Sequence, residues 1–304
     1  MTSRGQAPEW TDPELRAYRA QSADTVPGTT LPGTTVPGAT VPGGQRPQRP
    51  RRLRKLIRRA MAALGVLVFL AIAGFGGLLL VTPSAGQAQA IAQAQDRAHG
   101  VAFPGPPVPA RFAEALVATE DHRFYQDPGI DPIAVGRVAL GYLKGDGPQQ
   151  GGATITQQLA KMLYTPGQSS LKAEAKQVAL AIKLNWTYSK AQILQLYADV
   201  VYFGQNYYGL GTASCGYFGV PPAQLTWSQA AMLAGAVNGP SLYDPLTHPV
   251  QARAREAHVL SRLVATGTLT QSQASAALAQ PLGLVSPQLA GATQGTPTCG
   301  TTRT

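Results

Sequence analysis

An uncharged apolar run near the N-terminus sets the architecture of this chain. The run AMAALGVLVFLAIAGFGGLLLV extends over twenty-two residues, Ala60 to Val81. About 20 apolar residues in a helix, each adding about 1.5 Å, cross the hydrocarbon of a bilayer. The run therefore predicts one transmembrane helix. A cleaved signal peptide is the alternative, but its apolar region is normally about 7 to 15 residues long and lies near the chain start.

Positive charge is concentrated immediately before this run. Residues 1–59 contain eleven Lys and Arg against four acidic residues, which places +7 of the net +10 there. Basic residues keep their side of a membrane helix in the cytoplasm, so residues 83–304 are predicted to be extracellular. A nucleic-acid-binding protein would spread its basic charge over a folded face, so the sequence argues against nucleic acid as a partner.

Composition divides the remaining chain into segments. Residues 1–59 are predicted to be a disordered cytoplasmic tail, because 25–44 repeat a Pro-Gly unit that favours turns and lacks apolar mass. Small and polar residues make 82–106 a predicted stalk between the membrane and a folded domain. That domain is expected at 107–284, and 285–304 is expected to be a disordered C-terminal tail.

The domain is predicted to be mainly α-helical. Ser and Thr N-caps, such as Ser189 and Thr226, precede several apolar helical patterns, and no alternating run is long enough for a sheet of any size. The predicted helices cover 109–120, 132–144, 154–164, 170–186, 189–199, 206–216, 226–236, 250–265 and 270–279. An extracellular location permits a disulfide between Cys215 and Cys299, and a buried free Cys215 is the alternative.

Two adjacent carboxylates, Glu120 and Asp121, end one predicted helix. Phe112 and Leu116 share a helix face with Glu120, so this carboxylate ends an apolar stripe and is expected to be partly desolvated. Desolvation raises the pKa of a carboxyl group, which suits a general acid or base near neutral pH. Asp121 lies about a hundred degrees around the helix and is predicted to remain the better anion or cation ligand. A helix end exposed to solvent is the alternative.

A second motif, GGATITQQLAKMLY, occupies residues 151–164. Its two glycines permit an unusual turn that leads directly into a helix. On that helix Thr154, Gln158 and Lys161 share one face. Two hydrogen-bonding groups beside an ammonium suit an anionic, oxygen-rich ligand such as a phosphate or a sugar. An ordinary amphipathic helix is the alternative.

Four ordered stretches carry a resemblance to a known family. They are EDHRFYQDPGID, GGATITQQLAK, YSKAQILQLYADVVYFGQNYYGLGTASCGYFG and LTWSQAAMLAGAVNGPSLYDP. Together they resemble the peptidoglycan glycosyltransferases, the transglycosylase module of class A penicillin-binding proteins and its monofunctional relatives, over residues 108–284. The resemblance implies a mainly α-helical, lysozyme-like two-lobed domain with one N-terminal transmembrane helix, dipping an apolar region into the outer leaflet.

The implied reaction polymerises lipid II, with a lipid-linked glycan chain as donor and lipid II as acceptor. Glu120 matches the general base that takes the acceptor's proton. Mg²⁺ is the implied cofactor, with Asp121 as a candidate ligand, and the membrane and other cell-wall synthesis proteins are implied partners. The resemblance assigns substrate contacts to Asp121, Phe124, Asp127, Thr154, Gln158, Lys161 and Gln177.

The sequence also departs from the family pattern. The third motif, normally Arg-Lys followed three residues later by Glu, falls on Ala173, Glu174 and Gln177, with Lys172 and Lys176 close by. The other departures are Asp127 for His, Ala153 for Ser, Met162 for Asn, Gln195 for Glu and Asp199 for Asn. A pseudoenzyme that binds lipid II, glycan or a cell-wall partner is therefore the second hypothesis. A lysozyme-like hydrolase is the third, although nothing in the second motif requires one.

Overall fold

The computed structural model describes residues 51–133, 153–285 and 299. These residues are mainly α-helical, as predicted, and their only β pairing is an isolated antiparallel bridge between Tyr202 and Tyr208. Short 3₁₀ helices occupy Ala85–Gln87 and Pro222–Gln224. The α-helices are α1 Arg51–Val81, α2 Ala88–Ala98, α3 Ala110–Glu120, α4 Ile155–Tyr164, α5 Leu171–Thr187, α6 Lys190–Val200, α7 Leu210–Phe218, α8 Trp227–Ala236, α9 Pro249–Ala265 and α10 Gln271–Ala279.

Ser or Thr side chains cap five of the ten described α-helices. The hydroxyl groups of Thr154, Ser189, Thr226 and Thr270 each accept an N-terminal amide of α4, α6, α8 and α10 in a capping box. Such caps can be recognised in a sequence. Seven predicted helices agree with the structure to within one residue at each end, and five of these begin with a Ser or Thr cap. The predicted helix 132–144 lies mostly outside the described residues, as do the predicted tails. Residues 51–59, which were assigned to the disordered N-terminal tail, are instead the first residues of α1.

Helix α7 begins later than predicted. The sequence placed its start at 206, whereas the helix begins at Leu210. Gln205, Asn206 and Gly209 have positive φ angles of 49°, 61° and 79°, which a right-handed helix does not accept. The apolar pattern before Leu210 therefore belongs to a turn.

The predicted stalk, 82–106, is partly helical and packed. The 3₁₀ helix at Ala85–Gln87 and α2 both lie within it. Ala85, Ala88 and Ala92 are buried against the rest of the domain. The sequence reading was wrong here because small alanines provide little hydrophobic signal, yet they let helices approach closely.

Polar bonds fix the end of α1 to the domain. Lys183 donates to the carbonyl oxygens of Thr82 and Pro83, at 2.7 and 3.1 Å. The hydroxyl of Tyr164 lies 3.2 Å from the carbonyl oxygen of Ser84, and that of Tyr188 lies 3.4 Å from the carbonyl of Gly86. We call these contacts to residues 82–86 the α1 junction. They show that the chain leaving α1 is held in place on α4 and α5.

The domain helices pack in two groups. Helices α3, α8, α9 and α10 contact one another, and α2, α4, α5 and α6 form the second group. Helix α7 contacts both α6 and α8. A disulfide between Cys215 and Cys299 anchors residue 299 to α7, which excludes a free Cys215. The two groups agree with the expected two-lobed helical domain.

Helix α1 contains the predicted membrane span. Within the described part of the chain it is the one stretch long and apolar enough to cross a bilayer. Its large apolar side chains remain exposed, for example Leu67 at 64% and Phe69 at 69%. Apolar exposure of this extent is typical of a surface that contacts lipid or another protein.

Candidate active site

Glu120 lies where the two helix groups meet. It is the last residue of α3, and its side chain is only 7% exposed. Its Oε2 accepts a hydrogen bond from Nε2 of Gln158, at 3.0 Å, and its Oε1 accepts one from the guanidinium of Arg255, at 3.1 Å. Each carboxylate oxygen has a second lone pair, so Glu120 can still accept a proton or a hydrogen bond.

Tyr197 fixes the orientation of Gln158. The Tyr197 hydroxyl donates to Oε1 of Gln158 at 2.9 Å, so the amide nitrogen of Gln158 faces Glu120. Burial, and then the charge of Glu120, raise the pKa of Tyr197 well above its ordinary value. The phenol therefore keeps its proton and remains a hydrogen-bond donor. Tyr197, Gln158 and Glu120 form one continuous chain of hydrogen bonds.

Arg255 is a site residue that sequence reasoning missed. It projects from α9, where its Nε donates to the carbonyl oxygen of Gly235 at 3.3 Å and its guanidinium lies 5.5 Å from the Tyr243 ring. A Cβ atom added at Gly235 would lie 2.8 Å from Cγ of Arg255. Glycine in α8 thus leaves room for the arginine. The sequence showed only an arginine-rich helix, and packing alone identifies the arginine that reaches Glu120.

Asp127 and Lys190 form a buried ion pair close to Phe124. Oδ1 of Asp127 accepts hydrogen bonds from Lys190, at 3.0 Å, and from the amide of Gly129, at 2.6 Å. The Lys190 ammonium lies 4.5 Å from the centre of the Phe124 ring, which is fully buried. Phe124 and Asp127 are therefore held in the interior of the domain. Their predicted contact with substrate stays a prediction.

Asp121 is buried in an unexpected way. The helix ends at Glu120, and Asp121 turns inward so that its Oδ2 accepts the amide of Ile155 at the start of α4, at 3.1 Å. Burial, and then the charge of Asp127, raise the pKa of Asp121 to about 7. Asp121 was predicted to be the better anion or cation ligand from its position on the helix, but its carboxylate turns into the domain, because helical periodicity does not apply beyond the last helical residue. Its role as a ligand stays a prediction.

The remaining predicted contacts lie around α4. Thr154 is buried and donates from its hydroxyl to the carbonyl oxygen of Gly129, at 2.7 Å. Lys161 is exposed and lies about one turn along α4 from Gln158. Gln177 donates to the hydroxyl of Thr165 at the C-terminal end of α4, at 2.9 Å. The structure therefore joins Gln158 directly to Glu120 and places Lys161 near them, whereas Thr154 and Gln177 bond to the scaffold.

The third-motif positions lie near the start of α5. Ala173 is buried and Glu174 is exposed. Alanine is uncharged and glutamate is an anion, so neither supplies a cation. Lys172 is exposed and Lys176 is half-buried one turn further along the helix. Arg255 is the cationic side chain that contacts Glu120 directly, and Arg262 donates to the carbonyl oxygen of Ala118 on the same helix, at 3.2 Å.

The side chains at this site do not form a metal centre by themselves. No group of three or more His, Cys, Asp or Glu suited to a metal exists in residues 51–133, 153–285 and 299. The proposed ligand, Asp121, already accepts the Ile155 amide, and a lysine neutralises its neighbour Asp127. The expected Mg²⁺ is therefore not explained by these residues.

A known protein family matches most of the described domain. The model of the transglycosylase family matches residues 87–264, which includes Glu120, Gln158, Tyr197 and Arg255. The chain belongs to the transglycosylase family. The match begins at 87, inside the predicted stalk, in agreement with the packing of α2.

Several penicillin-binding proteins are similar to this transglycosylase. Penicillin-binding protein 1A of Escherichia coli is 39% identical over 166 residues, or 55% of this chain and 20% of the relative. Penicillin-binding protein 1A/1B of Bacillus subtilis is 40% identical over 167 residues, or 55% of this chain and 18% of the relative. This chain thus spans only about a fifth of the length of these proteins. The crystal structure of penicillin-binding protein 1A from Haemophilus influenzae covers 62% of this chain and 19% of its own, with 22% identity and a TM-score of 0.37.

Proposed function

We propose that this transglycosylase is a membrane-anchored peptidoglycan glycosyltransferase that polymerises lipid II, with Glu120 as the general base. The observation that supports the proposal best is the position of Glu120. Its carboxylate is 7% exposed and held on both oxygens, between Gln158 and Arg255. A base fixed in this way is oriented before the acceptor sugar arrives, which lowers the entropic part of the barrier.

In the proposed reaction, Glu120 removes the proton from the acceptor sugar hydroxyl as that oxygen attacks the donor sugar. The donor loses its lipid pyrophosphate, and Glu120 becomes a neutral acid. Negative charge develops on the departing pyrophosphate, and a cation near it lowers the barrier. Lys161 is exposed on the same helix as Gln158 and is our candidate for that cation.

Arg255 gives the site a charge balance that suits this step. Before substrate binds, the ion pair with Arg255 holds the Glu120 carboxylate in place. Once Glu120 takes a proton, the guanidinium has lost its anionic partner and is available to the phosphate charge that has just formed. Arg255 would then partly replace the cations that Ala173 and Glu174 no longer provide.

The second candidate function is a pseudoenzyme that binds lipid II or glycan without turnover. The specific observation in its favour is the third motif. Gln177, in place of the second carboxylate, bonds to Thr165 and cannot ionise. Loss of one positioned charged group commonly costs about two to three powers of ten in rate.

One assay separates these functions. The full chain in detergent is incubated with labelled lipid II and Mg²⁺, which the family resemblance implies, beside Glu120→Gln and an exposed control outside the motifs, Glu114→Gln. Glycan polymer that is lost in Glu120→Gln and kept in Glu114→Gln supports the glycosyltransferase. Saturable lipid II binding without polymer supports the pseudoenzyme, and shortening of preformed glycan supports a hydrolase.

The membrane anchor and its orientation are part of the same proposal. The basic residues that precede α1 favour a cytoplasmic N-terminus and an extracellular domain. Protease added to intact cells tests this: it should remove the domain and leave a fragment that contains the N-terminal tail. Protection of the whole domain would reverse the orientation.

A further inference from the structure

Two buried carboxylates lie between α2 and α6, away from the site described above. Asp96 belongs to the last turn of α2 and is 1% exposed, and Asp199 belongs to the last turn of α6 and is 4% exposed. The two helices pack against each other. Their proximity is also visible in the electrostatics, since burial, followed by the charge of Asp199, raises the pKa of Asp96 to about 7.

Three of the four carboxylate oxygens have no hydrogen-bond partner among the described residues. They are both oxygens of Asp96 and Oδ2 of Asp199. Oδ1 of Asp199 accepts the amide groups of Gln195 and Gly105, at 2.7 and 3.2 Å. The two carboxyl groups do not bond to each other either, so a shared proton does not account for the arrangement. The buried carboxylate of Asp96 has no partner on either oxygen, which is costly, and a second buried carboxylate beside it raises that cost.

The backbone adds to the negative potential at this position. Both aspartates are in C-terminal turns, where the helix dipole places partial negative charge. The neighbouring basic residues Arg97 and His99 are exposed to solvent, and His99 stacks on the ring of Tyr208. None of the ion pairs described for this chain involves either aspartate. The local field therefore favours a cation at this place.

We propose that Asp96 and Asp199 bind a divalent cation, calcium in preference to magnesium, that joins α2 to α6. Three oxygens from two side chains are free to coordinate, and both oxygens of Asp96 face no other partner. Calcium accepts bidentate carboxylates and irregular coordination, whereas magnesium requires a compact octahedron and retains its water.

A cavity provides space for the remaining ligands. Asp199 lines a cavity of about 330 Å³ whose wall also includes Gly105, Pro106, Thr212 and Pro222. Calcium takes six to eight oxygen ligands in all, so water from this cavity would complete the set that the two aspartates begin. The same cavity gives an ion a route to Asp199.

The site has a structural consequence for Glu120. Asp199 is two residues from Tyr197 on α6, and Tyr197 orients Gln158 toward Glu120. A cation between α2 and α6 would therefore stabilise the helix that supports the base. The cation would act by holding α6 in position, and no contact with the substrate is required.

The test uses the full chain in detergent, freed of metal with EDTA and then dialysed. Calcium or magnesium is added separately, without lipid II, so the outcome does not depend on the proposed glycosyltransferase activity. Wild type is compared with Asp96→Asn, with Asp199→Asn and with the exposed control Glu174→Gln. Bound metal per chain is measured by equilibrium dialysis and elemental analysis, and thermal unfolding is followed by tryptophan fluorescence.

We expect wild type and Glu174→Gln to bind one more calcium ion per chain than either Asn variant. Millimolar calcium should raise the midpoint of unfolding of wild type by about 3 to 8 °C and leave the Asn variants unchanged. In EDTA, Asp96→Asn should be at least as stable as wild type, because it removes an unpaired buried charge; this also shows that the variant folds. Equal calcium stoichiometry in all four proteins would overturn the proposal, and tighter binding of magnesium would overturn the choice of calcium.

Discussion

Replacing Tyr197 with Phe tests the chain of hydrogen bonds that holds the proposed base. The substitution removes one hydroxyl, the donor 2.9 Å from Oε1 of Gln158, and preserves the buried ring. Leaving an acceptor without its donor costs about 1 to 3 kcal/mol in a protein interior. Gln158 is half-buried, so we expect the lower end of this range, about 1 kcal/mol of unfolding free energy.

Loss of the Tyr197 hydroxyl should have a larger effect on the rate of polymerisation than on stability. Without Tyr197 the amide of Gln158 is free to rotate, and the donor that holds Oε2 of Glu120 is no longer fixed. A loss of about 1.4 kcal/mol of oriented binding corresponds to about tenfold in rate, so kcat should fall about tenfold while KM changes little. Because the raised pKa of Tyr197 keeps the phenol protonated, the ratio of variant to wild-type rate should be constant across neutral and mildly alkaline pH.

The assay is polymerisation of labelled lipid II, with thermal unfolding measured on the same samples. Tyr202→Phe is the matched control, since its hydroxyl makes only a 3.4 Å contact with the amide of Asn206. The double variant Tyr197→Phe, Gln158→Leu should be no slower than Gln158→Leu alone, because both changes break the same chain. Full activity in Tyr197→Phe, or additive losses in the double variant, would refute the reasoning.

Three further perturbations address other parts of the structure. Gly235→Ala should displace Arg255, because the new Cβ would lie 2.8 Å from Cγ of Arg255. We expect slower polymerisation with unchanged lipid II binding, both in this variant and in Arg255→Lys. Weaker lipid II binding in either variant would contradict the proposed role of Arg255. The pKa of Asp121 is raised to about 7, so folding binds a proton there, and the unfolding free energy should fall by up to about 1.4 kcal/mol per unit as pH rises from about 4 to 7. Urea unfolding between about pH 4 and 7 should show this dependence of unfolding free energy on pH in wild type and not in Asp121→Asn. The same dependence in both proteins would show that Asp121 is not its cause. The disulfide joins Cys215 and Cys299 across a sequence separation of 84, so its reduction should lower the unfolding free energy by up to about 4 kcal/mol. An unchanged unfolding midpoint in calorimetry would show that the disulfide does not stabilise the domain.

Sequence patterns predicted most of the helices because their ends are determined locally. A Ser or Thr cap followed by Gln three residues later can be recognised in the sequence alone. Helices α4, α6, α8 and α10 all begin in this way. Helix α2 escaped prediction because its buried face is made of alanines, whose packing depends on the partner helix. The start of α7 was misplaced because Gln205 and Asn206 adopt positive φ angles that their residue types only weakly indicate.

At the site too, the sequence predicted the features that depend on local helical periodicity and missed those that depend on packing between helices. The position of Glu120 at the end of an apolar face followed from helical periodicity, and the buried Phe112 and Leu116 confirm that face. Its contact with Arg255 joins residues 135 positions apart and depends on the packing of α9 against α3, which no local pattern encodes. The inward turn of Asp121 was missed for a related reason, since it depends on where α4 begins in space.

The α1 junction determines how the domain is mounted in the proposed membrane-anchored state. Lys183, Tyr164 and Tyr188 bond the first residues after α1, so the domain cannot pivot freely at that point. In that proposed state, the distance from Glu120, the proposed base, to the lipid surface would be set by these contacts. The proposed lipid-linked substrate would then have to reach Glu120 by lateral diffusion within the leaflet.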